Sequence, residues 1–316
     1  MTMWGYSLSS EEHAPAELVR QAEQAEAVGF DFLSISDHFH PWIDEQGHSP
    51  FVWSVLGAVA KATSRVRVGT GVTCPILRTH PAIIAHAAAT TAMLFEGRFF
   101  LGVGTGEALN EHVLGQRWPT VEVRLAMLSE AVGVMRELWK GSVVDVHGEY
   151  FTVENARLYD VPDVPIPVVV SAFGAKAAQV AARDGDGLWM TSPRPDVLDA
   201  FRDAHGTGPR IGQVTLCWAP TVAEGLATAH RIWPNTGLPG QLPQDLPTPS
   251  HFEQATSLVR PDDIAAKVPC GPDPEPVLEA LHSYEEAGLD HVHLHQIGPD
   301  QAGFLRFWER EIRPKL

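Results

Sequence analysis

The sequence has no uninterrupted apolar stretch approaching the roughly 18–20 residues that a membrane span needs, so none is expected. Its first residues, MTMWGYSLSS, lack the basic and apolar segments of a signal peptide. Cysteine is scarce. Cys74, Cys217 and Cys270 are odd in number and far apart, which argues against a disulfide framework or a CxxC metal knuckle and points to the cytoplasm. Positive charge is short as well. Lys and Arg number 23 against 39 Asp and Glu, a formal net charge of −16, which argues against a nucleic-acid partner. An anionic ligand must then be held by local donors: helix N-termini, glycine-rich backbone and a few Arg or Lys. There is no internal repeat and no low-complexity tract.

What is present is alternation. Apolar β runs at 3–8, 30–36, 65–73, 98–106, 165–173, 187–192, 210–220 and 291–297 are separated by helical patterns, among them 15–28, 51–63, 81–95, 120–139, 174–185 and 302–312. Pro15 suits a first helical turn and Gly29 a helix stop. Eight such runs in 316 residues predict one (β/α)₈ TIM-barrel domain with insertions, spanning 1–316. A doubly wound sheet is the alternative, because periodicity does not reveal closure. Residues 142–159 read as a hairpin insertion that turns near Gly148. The Pro-rich stretch 234–276 is too long for an ordinary loop. It reads as an insertion after strand seven that partly covers the barrel mouth, with Phe252, Leu258 and Ile264 available to bury.

In a barrel the chemistry gathers at the C-terminal ends of the strands. Directly after the second run comes SDHFHPW, 36–42, with Asp37, His38, His40 and Trp42. His38 and His40 alternate, as do His291, His293 and His295 in the last run, which is the spacing of a two-histidine metal site. Against a metal, strands three, five and six offer no further ligand, and His40 precedes Pro41 and so lies in a turn. A polar loop is the plainer alternative, and a general base at His38 is the favoured reading. The second cluster is GVGTGEALNEH, 102–112. Its glycines permit close backbone approach to a flat or phosphorylated ligand, without the spacing of a dinucleotide fingerprint. Glu107 there can donate a proton if burial raises its pKa. SAFGAK, 171–176, places Gly174 at a helix start, a phosphate cradle. Arg194 and Lys267 are either cations for an anionic substrate group or ordinary surface charges.

Taken in order, GYSLSSEE, SDHFHPW, GHSPF, GVGTGEALNE, ENARLYDVP and GDG (185–187) resemble the coenzyme F420-dependent oxidoreductases of the luciferase-like barrel superfamily, those related to F420-dependent glucose-6-phosphate dehydrogenase. The resemblance runs from 3 to 314, strong over 3–112 and weak over 205–270. It implies a barrel that binds an 8-hydroxy-5-deazaflavin and transfers hydride between a substrate alcohol, a sugar phosphate or other polar secondary alcohol, and its carbonyl. On that resemblance His38 takes the substrate hydroxyl proton and Glu107 serves as acid toward the reduced ring nitrogen. Trp42 lines the site. Asp37, Gly71, Val72, Thr105, Gly106, Asn110, Phe173 and Gly174 meet the coenzyme, with an unusual peptide behind the ring at Gly71 and Val72. Glu11 matches a substrate-site Glu. Arg194 and Lys267 match the first and third of three phosphate-binding cations, each with Lys and Arg exchanged. The middle one falls near GQLPQD, 240–245, which holds no cation, so glucose-6-phosphate itself is disfavoured. Gly71 stands where the family often has Ser. The other readings are an FMN-dependent monooxygenase of the same superfamily, a metal-dependent hydrolase and a non-catalytic coenzyme-binding protein. The helices at 51–63 and 81–95 suit a homodimer face.

Overall fold

The sheet closes on itself, which excludes the doubly wound alternative. In this computed structural model, which describes residues 2–316, β1 (Met3–Leu8) pairs in parallel with β2 (Phe32–Ile35) on one side and with the last strand on the other. From β2 the barrel continues through β3 (Arg67–Thr70) and β4 (Phe99–Val103). The chain then leaves it for an antiparallel hairpin, β5 (Val144–His147) and β6 (Thr152–Ala156). It returns as β7 (Val168–Ser171), β8 (Gly187–Met190), β9 (Arg210–Leu216) and β10 (His291–Gln296). Eight parallel strands form the closed barrel.

Strand direction divides the core in two. Side chains facing outward, such as Leu8, Leu33, Ile35 and Val68, pack under the helices in one continuous apolar cluster. Those facing inward form a separate cluster of Phe32, Phe100, Val169, Trp189 and Ile211, so the lumen is packed rather than open. Helix ends follow local chemistry. The helix Pro15–Ala27 begins on Pro15, and Gly29 reverses the chain after it at φ 84°. The helix Pro81–Leu94 also begins on proline, and the His80 imidazole accepts from the Ala82 N–H at 3.2 Å.

The strands are shorter than their apolar runs. β2 spans Phe32–Ile35 and β9 stops at Leu216, so the residues beyond them are free to turn into the mouth. After β9 come the helix Val222–Ile232 and then the irregular segment, with short helices at Leu242–Asp245, Pro249–Thr256 and Pro261–Ala265. Phe252 and Ile264 are fully buried, but Leu258 is 82% exposed, which corrects the expectation that all three pack. Leu258 lies past the end of the Pro249–Thr256 helix, where no neighbouring element covers it. Phe252 joins Ile43, Leu109 and Leu238 in a cluster against Trp42, which seats this segment over the loops after β2 and β4. Among the described residues no helix is long and apolar enough to cross a membrane.

Candidate active site

Three loops meet at the mouth because β2, β3 and β4 are neighbours. The loop after β2 carries Asp37, His38 and Trp42. His38 is engaged at both ring nitrogens: Nδ1 lies 3.3 Å from the His40 carbonyl oxygen, and Nε2 lies 3.4 Å from Glu11 Oε1. Its ring meets Trp42 edge-on at 5.0 Å, and Trp42 in turn meets Phe252 at 5.1 Å. Glu11 comes from the loop after β1 and is buried. Its carboxylate accepts from Ser36 Oγ at 2.6 Å and Ser9 Oγ at 3.2 Å. Burial pushes the Glu11 carboxyl up, but the His38 charge and the Ser36 hydroxyl outweigh it and hold the group below the usual range.

Opposite stands the loop after β4. Glu107 is the N-cap residue of the short helix Ala108–Glu111. Asn110, buried, joins the two loops. Its Oδ1 accepts from the backbone N–H groups of Phe39 at 2.9 Å and His40 at 3.0 Å, and its Nδ2 donates to Glu107 Oε2 at 3.4 Å. His40 is turned away from His38 and lies 3.1 Å from the Leu109 carbonyl. Asp37 accepts from Thr73 Oγ1 and from Arg78 Nη2, each at 2.8 Å.

Backbone lines the floor between them. The Gly71–Val72 peptide is cis. A Cβ on Gly71 would come within 2.8 Å of the Trp189 ring, one on Gly104 within 2.8 Å of Val72 Cγ2, and one on Gly106 within 2.7 Å of Cys74 Sγ. Thr105 lies between the last two glycines. Packing against these side chains is what holds the three positions to glycine. Gly174 caps the helix Ala175–Asp184 with open space around it, beside the exposed Phe173. That end fits an anionic group.

The proposed substrate cations sit apart from this network. Arg194 grips Asp196 with two bonds, at 2.9 and 2.7 Å. Lys267 Nζ donates to the Thr236 carbonyl at 2.9 Å. Both are exposed. In the intervening segment Asp245, an acid, accepts from Trp118 Nε1 at 3.1 Å.

Reading the sequence missed several residues. Glu111 and Arg78 support Asp37 from below. Glu12 and His295 form a second buried carboxylate–imidazole pair at 3.0 Å. The alternating histidines of β10 do not converge. His295 faces Glu12, and His291 faces Asp290 at 2.7 Å. His293 lies 3.0 Å from Ser34 Oγ in the lumen, where burial pushes its pKa down to about 3 and keeps it neutral. No group of three or more His, Cys, Asp or Glu among the described residues could hold a metal ion. Its place in the run GVGTGEALNEH, four residues after Glu107, is the one signal that was available for Glu111.

Residues 2–291 match the luciferase-like monooxygenase family. The chain is 41% identical to an F420-dependent glucose-6-phosphate dehydrogenase of Segniliparus rotundus, over 99% of this chain and 97% of that one. It is 37% identical to the enzyme of that name from Mycobacterium tuberculosis, with the same coverage. Among solved structures, an F420-dependent secondary alcohol dehydrogenase in complex with an F420-acetone adduct superposes with a TM-score of 0.91 at 32% identity, over 99% of this chain and 98% of that one. A coenzyme F420-dependent tetrahydromethanopterin reductase from Methanopyrus kandleri shares the fold, with a TM-score of 0.80 at 18% identity.

Proposed function

The chain belongs to the luciferase-like monooxygenase family and is an F420-dependent oxidoreductase, and from that premise we propose that it acts on a secondary alcohol and its carbonyl, with His38 as base and Glu107 as acid. When bound, F420 accepts or returns a hydride. His38 is suited to the hydroxyl proton. The proton it takes would sit at Nε2, and the imidazolium so formed lies between two acceptors, the His40 carbonyl at Nδ1 and the Glu11 carboxylate at 3.4 Å from Nε2. Glu107, on the opposite loop, would hold the proton needed at the coenzyme end of the transfer. Asp37, Gly71, Val72, Thr105, Gly106 and Asn110 hold the ring system, and Phe173 and Gly174 its anionic end. The observation that carries this reading is Asn110, which ties the His38 loop and Glu107 into one hydrogen-bonded unit.

The substrate carries no phosphate. Arg194 is committed to Asp196 and Lys267 to a carbonyl, and the segment between them presents Asp245. Beside His38 stands Trp42, backed by the buried apolar cluster of Phe252, Ile43, Leu109 and Leu238. A homodimer face on the helix Pro81–Leu94 is supported by the exposed Ile83, Met93 and Leu94.

Replacing His38 tests the assignment. His38→Ala should lose about 10²–10⁴-fold in turnover while F420 still binds in a fluorescence titration. Near-normal turnover in that variant would refute the role.

A further inference from the structure

We propose that Glu111 is a positioning residue for hydride transfer: through Arg78 it fixes Asp37, and with it the loop that carries His38, relative to Glu107. This assignment rests on the F420 reading above. Glu111 ends the short helix that Glu107 begins, and it is 1% exposed. Its Oε2 accepts from the Arg78 backbone N–H at 2.9 Å, and Oε1 lies 3.5 Å from Arg78 Nε. The far side of the same guanidinium donates to Asp37 Oδ1 at 2.8 Å and to the Asp37 carbonyl at 3.1 Å. Asn110 is a direct tie between the short helix and the His38 loop. Glu111, through Arg78, is a second tie at a different angle, and two ties fix an orientation that one leaves free.

The charges in this bracket do not balance. One guanidinium faces two buried carboxylates, with Glu107 one helical turn away and the Cys74 thiol against the Glu111 carboxyl. Burial raises the Glu111 pKa and Glu107 adds to it, while Arg78 and Cys74 pull it back, leaving it at about 7. Ionised Glu111 completes the Asp37–Arg78–Glu111 bracket. Protonated Glu111 keeps only the bond from the Arg78 backbone. The hold on the His38 loop therefore tightens as pH rises through neutrality.

Glu111→Gln copies the protonated form at every pH. Near pH 6 this variant should match wild type within about threefold in turnover and in F420 affinity measured by fluorescence. Near pH 8 its turnover should fall about tenfold or more, the KM for the alcohol changing far less, because misplacement of catalytic groups costs kcat. Across the same range F420 affinity should change with pH in wild type and stay flat in the variant. Arg78→Lys keeps the charge but not the span, and should lower turnover at both pH values, which covers the case of a Gln variant that does not fold. Wild-type behaviour of either variant at both pH values overturns the assignment. A wild type that does not bind F420 overturns the coenzyme reading together with it; one that binds F420 while Glu111→Gln tracks it overturns this assignment alone.

Discussion

A buried carboxyl that stays protonated to about pH 7 has a consequence for stability as well as for geometry. An ordinary glutamate titrates near 4.5, and Glu111 does so only in the unfolded chain. Between those two pH values the folded state holds a proton that the unfolded state has released. Stability is therefore lost as pH rises from about 4.5 to about 7 and is level above that, by about 3 kcal/mol in all from this group. Denaturant unfolding of the coenzyme-free protein should show this slope in wild type and not in Glu111→Gln. Equal slopes would mean that Glu111 titrates normally. Gly71 makes a second residue-scale prediction. A Cβ there meets Trp189 at 2.8 Å and Ser34 Cβ at 3.1 Å, so Gly71→Ser should cost about 1–3 kcal/mol. In a double-mutant cycle with Trp189→Leu the two changes should couple in the relieving direction. Simple additivity would show that the ring does not set this constraint. The sequence displayed Gly71 as a departure from the family's Ser, but the compensating Trp189 lies two barrel strands beyond β4 and could not be paired with it from the chain alone.

At the scale of elements, the segment after the helix Val222–Ile232 depends on Phe252, which is fully buried and meets Trp42. Phe252→Ala should destabilise the protein by about 3–5 kcal/mol and raise the alcohol KM more than it changes F420 affinity. An unchanged KM would separate the segment from the substrate wall. Elements were legible where one period ran long. The barrel strands and the helices Pro81–Leu94 and Val121–Leu138 stand out as alternating blocks. The helices Val222–Ile232 and Glu275–Glu286 flank the Pro-rich stretch and went unnamed beside it. Asp37, His38 and Trp42 are adjacent in the chain, so their proximity was readable. The meeting of Glu11 with His38 depends on the β1–β2 pairing, and that of Arg78 with Glu111 on the β3–β4 pairing, which only the assembled sheet supplies. The pairing of Arg194 with Asp196, two residues on, was local and could have been seen.

Across the whole molecule, a formal charge of −16, with Arg194 and Lys267 already bonded, leaves neither of the two proposed substrate cations free for a phosphate dianion. A neutral secondary alcohol should therefore exceed glucose-6-phosphate in kcat/KM by about 10²-fold, the scale of one or two missing charge-assisted bonds. The reverse preference would show that Arg194 and Lys267 leave their present partners for substrate. The proposed function requires direct hydride transfer from a carbinol carbon to F420 between His38 and Glu107. Its most direct test is to mix the protein with F420 and 2-propanol deuterated at the carbinol carbon and to examine the reduced coenzyme by mass spectrometry. The account predicts one deuterium on the coenzyme in wild type and none formed at a comparable rate by His38→Ala; reduced coenzyme without the label, or no reduction by any secondary alcohol, would contradict it.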